Sequence, residues 1–95
     1  MVLEIARISI VPGREDEFAV AYAQGRELLL ATPGCRTIRM TRGIESPSVF
    51  VLMVEWDSLE DHEIGFRQSD RFPAWRALIG PFFAEPPAVE HYADI

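Results

Sequence analysis

Eight residues, Val49-Phe50-Val51-Leu52-Met53-Val54-Glu55-Trp56, run almost directly into Asp57-Ser58-Leu59-Glu60-Asp61. A run that short and that apolar reads as a strand covered on both faces, which places it inside a sheet. Ser58, followed three residues later by Asp61, resembles a capping box and marks a helix start. A helix that begins two residues after a central strand has to fold back across it. His62 lies one turn into that helix. A functional pocket is therefore expected where the short helix, Ser58–Phe66, leans over the strand.

The remaining segments arrange themselves around this unit. Val2–Val11 alternates as a strand, with Glu4, Ala6, Ile8 and Ile10 on one face and Leu3, Ile5, Arg7 and Ser9 on the other. Pro12-Gly13 stops it. Arg14–Thr32 carries Phe18, Ala21, Tyr22, Gly25, Leu28 and Leu29 at helical spacing, with Glu15, Asp16 and Glu17 in the first turn where the helix dipole favours carboxylates. Pro33-Gly34 ends that helix. Cys35–Arg42 mixes Ile38 and Met40 with Arg36 and Arg42 on one face and sets Cys35, Thr37, Arg39 and Thr41 on the other, the pattern of an edge strand. Its short loop to Val49 predicts a hairpin. A second helix spans about Arg71 to Ile79, Pro86-Pro87 forms an extended link, and Ala88–Tyr92 is a last strand beside the first.

The order strand, helix, strand, strand, helix pair, strand predicts a single α+β domain over residues 1–95. Its architecture is ferredoxin-like: a four-stranded antiparallel sheet with helices on one face. Hydrophobic residues make up 48 % of the chain, high for one so small. The sheet's second face therefore calls for a cover, and a homodimer packed sheet to sheet supplies one.

Several classes of function drop out on composition. The formal charge is −6 with no basic cluster, which argues against nucleic acid and anionic membranes. All nine cations are arginine, so Schiff-base chemistry has no lysine to use. The one cysteine, Cys35, cannot form an internal disulfide and reads as an apolar residue. No basic leader or membrane-length run is present, and a reduced cytoplasmic setting is the expectation. No His-x-x-x-His or carboxylate triad suggests a metal, and no glycine-rich loop suggests a phosphate.

His62 is the candidate catalytic base, since an imidazole titrates near neutral pH; its competing role is a half-exposed surface histidine. Phe66 shares its helix face. Phe66, Phe72 and Trp75 are candidate walls of a substrate pocket, and core packing is the competing role for each. Arg67 and Arg76 are candidate partners for an anionic oxygen on the substrate, or else solvated or paired with Asp70 or Glu63. His91, expected near Ala6 or Arg7, is a candidate substrate contact with an alternative role at a dimer interface.

A family resemblance rests on several of these residues together. They are Glu4-Ile5-Ala6-Arg7 with Val11-Pro12-Gly13, Pro33-Gly34-Cys35, Val54-Glu55-Trp56-Asp57-Ser58, His62 through Phe66-Arg67-Gln68-Ser69, Phe72, Trp75-Arg76 and Pro81-Phe82-Phe83. The chain resembles the antibiotic biosynthesis monooxygenases, small dimeric α+β barrels. The resemblance implies a pocket between sheet and helices, under Ser58–Ile79. It also implies cofactor-independent oxidation of an electron-rich aromatic such as a phenol, quinol or anthrone. The family's haem-degrading branch relies on Asn, Trp and His where this chain has Ala6, Gly65 or Phe66, and Arg76, so the resemblance does not extend to haem cleavage. A non-catalytic barrel that binds a hydrophobic small molecule or acts in stress response is the alternative.

Overall fold

A computed structural model describes all 95 residues, Met1–Ile95. The elements are β1 (Val2–Ser9), α1 (Glu15–Leu30), β2 (Cys35–Arg42), β3 (Val49–Trp56), a π-helical turn (Asp61–Phe66), α2 (Arg71–Ile79), a 3-10 turn (Gly80–Phe82) and β4 (Ala88–Tyr92). The four strands form one antiparallel sheet in the order β2-β3-β1-β4. The fold is ferredoxin-like α+β with its helices on one face of the sheet.

Strand alternation determines which side is dry. Along β3, Phe50, Leu52, Val54 and Trp56 are buried, while Val49, Val51, Met53 and Glu55 on the opposite face are part-exposed. The apolar run thus serves two faces, as an inner strand must. On β1 the buried set is Glu4, Ala6 and Ile8, continued by Ile10 beyond the strand end at Ser9. The helices close this side with Phe18, Leu29, Phe66, Trp75 and Ile79.

Two turns need a backbone that L side chains rarely adopt. Gly13 and Gly34 have φ of 93° and 90°, and they terminate β1 and α1 respectively.

The edge strand β2 differs from simple alternation. A bulge at Arg36 places Cys35 opposite Trp56 and Thr37 opposite Glu55. Two residues of β2 then answer one of β3, so Cys35 shifts onto the helix-facing side with Ile38 and Met40. The expected grouping of Cys35 with Thr37 fails for that reason.

The short helix also differs from expectation. The Arg67 N–H bonds to the His62 carbonyl at 3.0 Å, five residues back and not four, so the turn is wide. Ser58 does cap the entry: its Oγ accepts from the Asp61 N–H at 3.2 Å and donates to the Asp61 carboxylate at 3.0 Å. Arg71 holds the far end, donating from Nε to Thr32 Oγ1 at 3.0 Å and from a terminal nitrogen to the Gly65 carbonyl at 3.2 Å.

Gly25 is where α1 meets α2. A Cβ there would lie 2.9 Å from Cε3 of Trp75, closer than carbon atoms pack. Gly25→Ala should therefore destabilise the fold by about 1–3 kcal/mol through overpacking, despite a helix-propensity gain of about 1 kcal/mol. Urea denaturation followed by tryptophan fluorescence measures both the loss and the displaced indole.

Candidate functional site

The helix-facing side of β1 is apolar except at Glu4, which is 5 % exposed. A carboxyl buried there has to be bonded, because leaving it unsatisfied would be strongly unfavourable. The diagonal neighbour on β3 supplies a donor: Trp56 Nε1–H bonds to Glu4 Oε1 at 3.0 Å. Burial still pushes the Glu4 carboxyl above its ordinary range; the Trp56 hydrogen bond and the charge of Arg67 offset only part of that.

The π-helical turn lays His62 flat on Trp56, with ring centroids 5.0 Å apart and planes 19° apart. Phe66 sits beyond it, 6.2 Å from the imidazole. His62 is 3 % exposed, so the expected half-exposed surface histidine is excluded. Its Nε2 lies 3.3 Å from Glu4 Oε1 and its Nδ1 lies 2.7 Å from His91 Nε2. Burial first, then the positive charge of Arg67 and the neighbouring His91 imidazole, pushes its pKa down to about 3. The ring is therefore neutral at pH 7. Its contact with Glu4 lies at ion-pair distance, but with the ring neutral it is a close polar contact between an imidazole and a carboxyl and not an ion pair.

Glu4 and His62 face a cavity of about 270 Å3 between sheet and helices. Ala6, Ile8, Leu29, Leu52, Phe66, Trp75 and Ile79 give it apolar walls, and Phe72, Phe83 and Val89 continue them outward. Its exposed lining residues are Arg67, Arg76 and Pro86, which mark the mouth. Neither arginine forms an ion pair, and the Arg76 guanidinium lies 5.9 Å from the centroid of the Phe72 ring.

Six of the seven residues singled out in the sequence, His62, Phe66, Arg67, Phe72, Trp75 and Arg76, line this one cavity. His91 does not. It stands opposite Glu4 in the β1–β4 register, not beside Ala6 or Arg7, and it reaches the cavity only through His62. Glu4 was missed as a site residue. Its signal was present: one carboxylate on an otherwise apolar face of an inner strand. Cys35 is half-buried, and burial together with the nearby Glu4 pushes its thiol up to about 11, so it is protonated at neutral pH.

The sequence and the fold both have counterparts among known proteins. The antibiotic biosynthesis monooxygenase family matches residues 1–78. An uncharacterized protein of Bacillus subtilis, YczJ, is 37 % identical over 95 residues, the full length of both chains. A crystal structure from Bordetella bronchiseptica, of a protein assigned to antibiotic biosynthesis monooxygenases, superposes with a TM-score of 0.95 at 41 % identity, covering 99 % of this chain and 96 % of that one. SnoaB, a cofactor-independent oxygenase of Streptomyces nogalater, shares the fold with a TM-score of 0.86 at 13 % identity, covering 99 % and 92 %. The family match spans the strand, the π-turn and most of the helix that build the cavity, and full-length relatives stand at 37 % and 41 % identity. The chain belongs to the antibiotic biosynthesis monooxygenase family.

Proposed function

We propose that this protein is a cofactor-independent monooxygenase whose substrate is a small electron-rich aromatic, a phenol, quinol or anthrone-like molecule. The observation that carries this reading is the buried Glu4–His62 pair, its polar atoms 3.3 Å apart, facing a cavity walled by Phe66, Phe72 and Trp75. The cavity, about 270 Å3, suits a small flat ligand.

The chemistry needs no external reductant. For an anthrone-like CH2 between aromatic rings, the first C–H proton goes to a base. The resulting enolate gives its electrons to dioxygen and forms a C–O bond. Protonation yields a hydroperoxide. Loss of the second C–H proton then breaks the O–O bond, leaving a carbonyl and hydroxide, which takes a proton to become water. One CH2 and one O2 become one C=O and one H2O. The protein has to take two protons and return two.

Such a cycle suits a carboxyl whose pKa has been raised toward neutrality, since it can act in both directions. His62 alone, with a pKa of about 3, is too weakly basic to ionise a phenol or anthrone unaided. Its role is as the hydrogen-bonded partner that exchanges a proton with Glu4. Arg67 and Arg76 at the mouth favour the anion as it forms. The apolar walls keep water from the peroxide.

A homodimer belongs to the same proposal. The molecule is only 19 Å through its thin axis, and the helix-free face of the sheet presents Leu3, Ile5, Val51 and Met53, all part-exposed. A second copy laid on that face would remove the apolar centre from water at ~25 cal/mol per Å2.

Three measurements test these statements. With anthrone as probe, His62→Ala should lower the rate of oxygen uptake by about 100-fold or more at unchanged far-ultraviolet circular dichroism. Uptake at the parent rate would remove His62 from the chemistry, and tryptophan quenching by anthrone without uptake in the parent would favour a binding protein. Ile5→Glu, placed at the centre of the open face, should convert the dimer to monomer in sedimentation velocity.

The third measurement is pH linkage. The folded His62 pKa lies below its unfolded value, so its contribution to stability is full above 6.5 and is lost as pH falls toward 3. The folded Glu4 pKa lies above its ordinary 4.5, so its contribution is full below 4.5 and is lost as pH rises. From 4.5 upward the Glu4 slope opposes the His62 slope. Glu4→Gln leaves only the His62 slope. Urea denaturation should show this variant losing stability from pH 6.5 to 5 more steeply than the parent, by up to ~1.4 kcal/mol per pH unit.

A further inference from the structure

His91 is the one member of the buried polar cluster that the cavity does not explain. It lies on β4, an edge strand of the sheet, and it is half-buried where Glu4 and His62 are sealed. Glu90 and Tyr92, its neighbours in sequence, point to the other face of the sheet. On the helix-facing side His91 meets the buried imidazole edge to edge, nitrogen to nitrogen, at 2.7 Å. The three side chains make a continuous line: the Glu4 carboxyl at the cavity, 3.3 Å to His62 Nε2, across the ring, and 2.7 Å from Nδ1 to His91 Nε2. Trp56 fixes this line, donating to Glu4 and lying flat against His62.

We propose that Glu4, His62 and His91 form a proton path that joins the cavity to solvent at the β4 edge of the sheet. Such a path has a use only if the cavity is a reaction site, as argued above, but its existence is measurable with no substrate present.

A neutral imidazole carries one N–H, so the line has two alignments. In the outward alignment the Glu4 O–H donates to His62 Nε2, His62 Nδ1–H donates to His91 Nε2, and His91 Nδ1–H faces water. A ligand proton taken by the other carboxyl oxygen drives one step along each link and releases one proton to solvent from His91. Glu4 ends as it began, a neutral carboxyl. Both rings are left as the other tautomer, with His91 Nε2–H donating to His62 Nδ1 and His62 Nε2–H donating to Glu4. This inward alignment is set to return one proton from solvent to an oxygen anion in the cavity, which restores the first. One proton leaves as the ligand ionises, and one enters when reduced dioxygen needs it. Glu4, His62 and His91 carry no charge at either stage, so the one charge in the dry interior is that of the ligand or oxygen anion itself, beside Arg67 and Arg76 at the cavity mouth.

The surrounding groups do not interrupt the line. Arg67 is the cation that faces it from the helical side, and its field favours the neutral form of His62. The Cys35 thiol on β2 approaches Glu4 and stays protonated. The Glu4 to His62 contact is the longest link and is the one a bound ligand would be expected to tighten.

Nitrogen-15 NMR of the ligand-free protein, labelled at histidine, tests the path directly. The expected result is a scalar coupling across the hydrogen bond between His62 Nδ1 and His91 Nε2, with exchange of the His62 N–H with water. His91→Phe, which keeps the ring's bulk and removes both nitrogens, should slow that exchange by about tenfold or more. Absence of the coupling, or exchange unchanged in His91→Phe, overturns the path. A second readout uses anthrone oxidation. His91→Gly should lower kcat with KM unchanged, and free imidazole in the buffer should restore it, which a purely structural role for His91 would not allow. If the parent consumes no oxygen with anthrone, the oxygenase reading fails while the NMR result still decides the path.

Discussion

The hydrogen bond from Trp56 Nε1 to Glu4 Oε1 is the contact on which the site depends. A carboxyl on the helix-facing side of an inner strand would otherwise be an unsatisfied acceptor in the core, at a cost of several kcal/mol. The indole satisfies it from the neighbouring strand without adding charge. The same indole offers its face to His62, so one large side chain fixes both the carboxyl and the imidazole. Moving Trp56 by one register position would send it to the opposite face of the sheet and leave Glu4 without a donor. Sheet register and site chemistry are therefore one constraint.

The π-helical turn follows from that constraint. His62 has to reach Trp56 and Glu4, while Phe66 has to reach the core four residues later. A tight α-turn carries the chain forward 1.5 Å and 100° per residue. The wider turn from His62 to Arg67 fits an extra residue into the coil and brings the two rings into one stack above the strand. A Cβ added at Gly65 in this turn would meet nothing nearer than the Glu60 carbonyl oxygen at 3.9 Å, and Arg71 holds the Gly65 carbonyl from outside. The fold thus spends irregular backbone where the side chains need unusual placement, as π-turns at functional sites commonly do.

Much of this was legible before any coordinates. The Val49–Trp56 run placed a strand in the sheet's interior because no edge strand needs apolar groups on both sides. The bounds of β2, β3, α2 and β4 followed from the same patterning and from Pro-Gly punctuation. The gathering of Phe66, Arg67, Phe72, Trp75 and Arg76 around His62 followed from two short helices crossing one strand. Four features were not legible, each for a physical reason. The bulge at Arg36 inserts one residue without any glycine or proline to announce it. The π-turn depends on a hydrogen bond five residues back, which hydrophobic spacing does not encode. Glu4 was visible as a carboxylate on an apolar face, yet its meaning depends on two residues more than fifty positions away, Trp56 and His62, and no local pattern carries a distance of that kind. His91, expected beside Ala6 or Arg7, pairs with Glu4, two or three residues away, because the length of the Pro86-Pro87 link does not specify pairing.

The division of labour between strands and helices has a mechanistic reason. The groups that move protons in this reading, Glu4 and His91, stand on two hydrogen-bonded strands, opposite one another in register, while His62 bridges them from a helical turn. Sheet pairing holds the two ends at a separation that thermal motion changes little, and the middle member stands on an element that can shift slightly without breaking the sheet. Proton transfer is sensitive to donor–acceptor distance, and the longer of the two links, 3.3 Å from His62 to Glu4, is the one a small movement of the π-turn would shorten. Phe66 and Arg67 line the cavity from that same turn. A ligand pressing on Phe66 or drawing Arg67 inward therefore acts on the position of His62 without touching it. If the path operates as proposed, a ligand that shifts the π-turn would change the His62–Glu4 separation, and occupancy of the cavity would then act on continuity of the line through Phe66 and Arg67.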